Sequence, residues 1–247
     1  MLGNISISDV VISFVAILFS LSVHEASHAA AIYWLSDKNA ACTERMTLNP
    51  LSHIDTIGTV VLPIIGLLSC GFCFGWAKPV TFNPNLLSRR LKTKTATALI
   101  AMAGPLSNAV LSIIFLALTT LYICIVAPTA SSRINLYYAT FTGQIDTLSH
   151  IVASTEKMVL LGLGGALWRI NIVLAAFNMI PIGSLDGAGV LGGLLPEHLE
   201  CRYNNFRYRY SQHCFIGLML LMYLGILPNL LVALEEVVIK SVAQLIL

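Results

Sequence analysis

The sequence predicts an all-α polytopic membrane protein of about four transmembrane helices, with a re-entrant hairpin, a short membrane-associated β element and a C-terminal amphipathic helix. Three observations carry this expectation. Of 247 residues, 57% are hydrophobic and 11% charged, too apolar for a domain whose whole surface must be solvated. Apolar stretches long enough to cross a bilayer recur along the chain. Most of the basic residues fall in three groups: Lys38 and Arg45; Lys78, Arg89, Arg90, Lys92 and Lys94; and Arg202, Arg207 and Arg209. The positive-inside bias puts all three groups on the cytoplasmic side.

The elements follow in order. Val10 to Leu35 forms the first span; no Lys or Arg precedes Lys38, so it lacks the basic start of a signal peptide and is expected to be retained, with the N-terminus exterior. Ile54 to Trp76 joins two cytoplasmic segments and is too short to cross twice. It therefore reads as a re-entrant hairpin broken near Pro63, Gly66 or Gly71. Thr95 to Val126 runs outward, Ala127 to Glu156 is an exterior loop too small for its own core, and Met158 to Ile180 returns. A fourth span lies near Cys214 to Leu227. After Pro228, apolar Leu230, Leu231, Leu234, Val237, Val238, Val242, Leu245 and Ile246 oppose Glu235, Glu236 and Lys240, the pattern of an interfacial helix. Residues 1–247 form a single integral-membrane domain, without repeats or low-complexity tracts. A net charge of +2 points to no nucleic-acid partner; the basic residues mark topology instead.

Chemistry concentrates in the first span. His24, Glu25 and His28 form a His-Glu-x-x-His motif inside an apolar stretch, where ionisable groups are expensive. A chance copy of this triplet belongs in a polar segment. On a helix the two histidines lie four apart on one face, so both imidazoles reach one zinc ion while the carboxylate sits beside an activated water. A catalytic zinc needs a third protein ligand. Asp186 is the leading candidate, in a stretch where Pro181, Gly183, Gly187 and Gly189 interrupt the third span at the depth of the histidines. Capping of a helix that starts at Gly187 is the competing role for Asp186. Glu25 is the expected general base. Cys70 and Cys73 have CxxC spacing without a second pair and read as small buried hydrophobes.

The strings HEASH, TLNPLSHID, GWAKPV, AGPLSN and NMIPIGSLDG occur in that order, cover most of the chain, and together resemble the site-2 protease family of intramembrane zinc metalloproteases in its minimal form, without PDZ or CBS domains. The resemblance implies one zinc ion held by His24, His28 and Asp186, with Glu25 as catalytic acid/base. Asn178 matches the family's Asn-x-x-Pro-x-x-x-Leu-Asp-Gly asparagine, which holds substrate; an amide that merely caps the helix break has the same appearance. Asn108 has either a similar positioning role or an interhelical hydrogen bond in a helix packed through Gly104. His53, in NPLSH, is either an electrophile or ligand-orienting group near the cleft or a satisfied interfacial residue. The chain departs from the family pattern at SDKN after the motif helix and at Arg169, a mid-span charge that lines an aqueous route or pairs with an acid not identifiable from sequence.

A helical peptide bond is masked by its own hydrogen bonds, so cleavage in a membrane needs an unwound substrate and a strand edge to receive it. Met46 to Pro50 and Lys78 to Phe82, punctuated by Pro50, Pro79 and Pro84, read as that β element, in agreement with the family's membrane-associated sheet. The expected partners are the bilayer and the transmembrane segment of another membrane protein. A prokaryotic inner membrane, with the active site toward the cytoplasm, is the expected location. Two rival functions, a zinc transporter and an inactive membrane-protein binder, fit less well: a transporter needs further ligands along a path, and here Glu25 and all three ligands are intact.

Overall fold

The computed structural model describes residues 7–36, 40–61, 77–78, 80–88, 90–144, 148, 151–152 and 154–246. Among them are seven α-helices: α1 Ile7–Leu35, α2 Thr93–Val126, α3 Ala130–Phe141, α4 Thr155–Asn178, α5 Asp186–Leu194, α6 Glu197–Tyr223 and α7 Ile226–Ile246. Three of them, α1, α2 and α4, are long and apolar enough to cross a membrane. A fourth crossing is available from α6 and α7 taken as one pair, bent by 66°. The chain is thus a helical, multi-pass membrane protein.

Side-chain pairings fix the relative directions of the three long helices. From Phe19 through Ser20 to His28, α1 meets α2 at Phe115, Asn108 and Ile100 in turn, so these two helices are antiparallel. Ser20 of α1 meets Asn171 of α4; α4 in turn meets α2 at Gly164 against Thr119 and at Asn171 against Asn108, antiparallel to it, so α1 and α4 run the same way. These directions agree with the alternation expected from charge.

The loop between α2 and α4 is more structured than its few charges suggest. Thr129 and Ser132 form a capping box that starts α3. Leu136, Tyr137 and Phe141 then pack with Ile123, Leu161 and Trp168, and Ile239 and Ala243 of α7 close the same cluster. The loop makes no core of its own, but it completes the core of the bundle.

Three expectations change. The fourth apolar stretch is not a separate span from Cys214: α6 begins at Glu197, and the chain turns at Gly225, whose φ of 74° only glycine adopts without strain. The C-terminal helix forms, but its phase differs from the expected one. Leu227, Leu231, Glu235, Ile239 and Ala243 are buried, whereas Leu230, Leu234 and Val237 face outward. Glu235 therefore lies on the inner face, not with Glu236 and Lys240, which pair with each other at 2.8 Å. Finally, no strand forms among the described residues; Thr47–Asn49 and Val80–Phe82 carry no ladder, and an isolated bridge joins Ser36 to Leu87. Of the expected hairpin, Thr56–Val61 is a turn of π-helix; Pro63, Gly66, Cys70, Gly71 and Cys73 lie outside the described residues.

Candidate metal centre and active site

The middle of α1 carries polar residues of two kinds. Ser22 and Ser27 bond back to the carbonyls of Leu18 and Val23, each 2.7 Å away, and so satisfy themselves within the helix. His24, Glu25 and His28 have no such outlet and line a cavity of about 730 Å³ between the helices.

Asp186 reaches the same point from the other side. Gly183, with φ 61°, turns the chain after α4, and α6 holds this turn through Tyr203 Oη to the Pro181 carbonyl (3.0 Å) and Arg207 Nε to the Gly183 carbonyl (2.9 Å). Short α5 then lies directly on α2: a Cβ on Gly189 would sit 2.9 Å from that of Ala101, and one on Gly193 would sit 2.7 Å from the Lys94 carbonyl. The carboxylate of Asp186 does not cap its helix. Its Oδ2 lies 3.1 Å from His24 Nε2 and 3.3 Å from His28 Nε2, and the two Nε2 atoms are 3.1 Å apart.

The protonation of the rings can be read from their other nitrogens. His28 Nδ1 faces the Ile100 carbonyl at 2.7 Å, so it carries the proton and donates it. His24 Nδ1 faces Asn108 Oδ1 at 2.5 Å. The orientation of Asn108 is fixed in turn, because its Nδ2 donates to Asn171 Oδ1 (2.7 Å) and to the Ser20 carbonyl (3.3 Å). Asn171 Nδ2 donates to the Leu167 carbonyl (2.7 Å) and to the Ser20 hydroxyl (2.8 Å), which closes the relay on one backbone and one side-chain acceptor. Each Nε2 is thereby turned toward Asp186. As neutral imidazoles the two rings present lone pairs there, so two nitrogens and one carboxylate oxygen converge on one point, a donor set that fits a divalent cation. The edges of this triangle match the spacing of about 3.3 Å that ligands at about 2.05 Å from a tetrahedral zinc must keep. Among the described residues, these three are the group of His, Cys, Asp and Glu side chains able to hold a metal ion.

Gly104 makes the room. A Cβ there would lie 2.6 Å from His24 Cε1 and Nε2 and would also run into His28 Nε2. Glu25 stands beside the triangle but outside it; its Oε2 accepts from the Val80 N–H at 3.3 Å. Val80 and Phe82 line the cavity next to it.

Residues 12–224 match the sequence profile of peptidase family M50. The chain belongs to that family. A relative from Bacillus subtilis (strain 168), named "Putative zinc metalloprotease YwhC", is 27% identical over 190 residues, which cover 76% of this chain and 71% of the relative. No solved structure matches the chain. As an M50 peptidase it is a membrane metalloprotease, and the resemblance to site-2 proteases expected from its motifs holds.

The remaining sequence candidates divide. Asn178 lines the cavity, with its Nδ2 donated to the Leu174 carbonyl of its own helix at 3.0 Å. Asn108 is fully buried, does not line the cavity, and meets the ring of His24. His53 is also buried and lies off the cavity. Its Nε2 donates to the Thr47 carbonyl (2.8 Å) and its own carbonyl accepts from Lys78 N–H (2.9 Å), so it ties two loop segments together. Neither is among the described residues that line the cavity. In this M50 chain Asn171 was missed by sequence reasoning, although a buried amide within an apolar span is itself the signal. Arg169 acquires a partner, Glu235 Oε2 at 3.8 Å from its Nε.

Proposed function

We propose that the protein is an intramembrane zinc endopeptidase that hydrolyses a peptide bond within or next to the transmembrane segment of a membrane-protein substrate. The observation that carries this reading is the convergence of His24 and His28, in a helix long and apolar enough to cross a membrane, with Asp186 of α5, beside the separate carboxylate of Glu25. His24, His28 and Asp186 would hold the zinc, which would supply Lewis-acid polarisation of the scissile carbonyl and acidify water. Glu25 takes a proton from the attacking water and delivers it to the leaving amine as the C–N bond breaks. The Val80 N–H holds the carboxylate in place for that transfer.

Substrate enters the cavity unwound, its backbone running beside Val80–Phe82 and met by Asn178; the position of both at the cavity wall supports this path. The active site lies toward the cytoplasmic side of a prokaryotic inner membrane, and the product leaves to the cytoplasm, a sidedness supported by the basic segments that flank the site.

Glu25→Gln tests the division of roles. The variant should fold, keep a full complement of zinc and cleave a reconstituted single-span substrate at least about a hundredfold more slowly. Near-normal cleavage would reject Glu25 as base. Loss of zinc would reject its separation from the ligands.

A further inference from the structure

The cavity has a second charged end that hydrolysis at the metal does not use. Arg169, Glu235, Thr140 and Gly143 line it there, in the same cavity as His24 and Asp186. The Arg169 side chain is 41% exposed and Glu235 11%, so the guanidinium is the more accessible member of the pair. Their separation of 3.8 Å is beyond hydrogen-bond reach, so the contact neutralises charge without engaging the donor fork. Space for the fork has been kept: Gly143 turns with φ 72°, and a Cβ on it would collide with Arg169 Nη1.

The distance to the metal centre follows from helix register. Ser20 of α1 and Asn171 of α4 are at one level, and the two helices run in parallel. Arg169 precedes that level by two residues and His24 follows it by four, an axial offset of roughly 9 Å at about 1.5 Å per residue. With the reach of the side chain, that is about three to five residues of extended chain.

Resting on the protease reading, we infer that Arg169 is a specificity-determining residue that anchors a carboxylate of the substrate, a chain-end or an acidic side chain, a few residues beyond the scissile bond. A guanidinium presents paired N–H groups that match a carboxylate, and it keeps its charge in an apolar setting where a lysine loses it readily. Glu235 holds the guanidinium neutralised until substrate arrives, then yields to the incoming carboxylate. The preferred substrates are chains that carry a carboxylate at this spacing.

The test uses the 247-residue protein in phospholipid liposomes with zinc and a series of apolar quenched-fluorescence peptides of graded length. Each peptide is made as the free acid, the C-terminal amide, an amide ending in Glu, and the N-acetyl free acid. The free acid at the matching length should have a kcat/KM at least about tenfold above its amide. Recovery of that advantage by the Glu-terminated amide identifies a side-chain source; failure to recover it identifies the chain end. In Arg169→Gln, and in the charge-balanced Arg169→Gln/Glu235→Gln variant should the first not fold, the acid-to-amide ratio should fall to about one. Anisotropy of labelled peptides on Glu25→Gln protein reads binding without turnover and should show the same Arg169-dependent preference. If no peptide is cleaved but that preference persists, the protease reading fails and the carboxylate site stands. Cleavage with no acid preference, or sensitivity to N-acetylation instead, would overturn the inference.

Discussion

The two ends of the bundle are held together by different physics. Around His24, side chains are oriented by directed hydrogen bonds: Leu167 carbonyl, Asn171, Asn108 and the imidazole form one polarised series. Around Trp168 the fully buried residues are Ile123, Tyr137, Phe141, Leu148 and Leu161, and contact is by shape, with Phe141 and Trp168 edge-on at 5.2 Å between ring centres. The metal end needs a single ring orientation and tautomer; the aromatic end needs only filled volume. A change at the first should therefore register in zinc affinity, and a change at the second in stability.

The most severe test of this contrast is Gly104→Ala. One methyl group would enter the space beside His24 Nε2, so zinc should fall below detection by elemental analysis while the helical circular dichroism persists. Stoichiometric zinc in G104A would show that the two rings have freedom the contrast denies them. Next comes Asn108→Leu, which removes the acceptor that fixes His24. Zinc affinity should drop about tenfold to a hundredfold in competition with a chelator, the usual worth of a group that orients a ligand. An unchanged affinity would reduce the amide relay to packing.

At the other end, Trp168→Ala should cost about 3–5 kcal/mol of stability through the cavity it leaves, with the zinc affinity of the folded protein unaltered. A parallel loss of zinc affinity would mean that the two ends are coupled. The smallest effect belongs to Lys240→Gln, which breaks the exposed pair with Glu236. Neither zinc binding nor thermal unfolding should change measurably, and a clear shift would place that face of α7 in a contact.

Much of this was legible in the chain. The two histidines and Glu25 are local in sequence, and Asp186 sits where glycine and proline break a span, so helical spacing and depth were enough to bring them together. What escaped depends on the rotational phase of one helix against another. Glu235 and Glu236 are adjacent and point about 100° apart. In the sequence Glu235, Glu236 and Lys240 read as one polar face, and that pattern did not tell which glutamate turns inward, so the partner of Arg169 was hidden for the same reason. For Asn108 two roles stayed open, because an amide beside a catalytic cleft and an amide behind a ligand have the same sequence signature; its contact with His24 depends on helix packing. His53 also stayed open between two roles: proximity in the chain to a functional loop did not reveal that its ring faces the Thr47 carbonyl. The expected β element rested on proline punctuation and extended propensity, but a strand requires a hydrogen-bonded neighbour, and the described residues offer only the Ser36–Leu87 bridge.

The Arg169–Glu235 contact also bears on how the protein is made. Arg169 leaves the ribosome well before Glu235, and at about 5–20 residues per second the interval is on the order of ten seconds or less. Until α7 has been made Glu235 cannot face Arg169, and a cation in α4 is least costly in water or at a headgroup. The pair forms only when α7 docks against α4, so a charge placed early in the chain waits on a helix made much later.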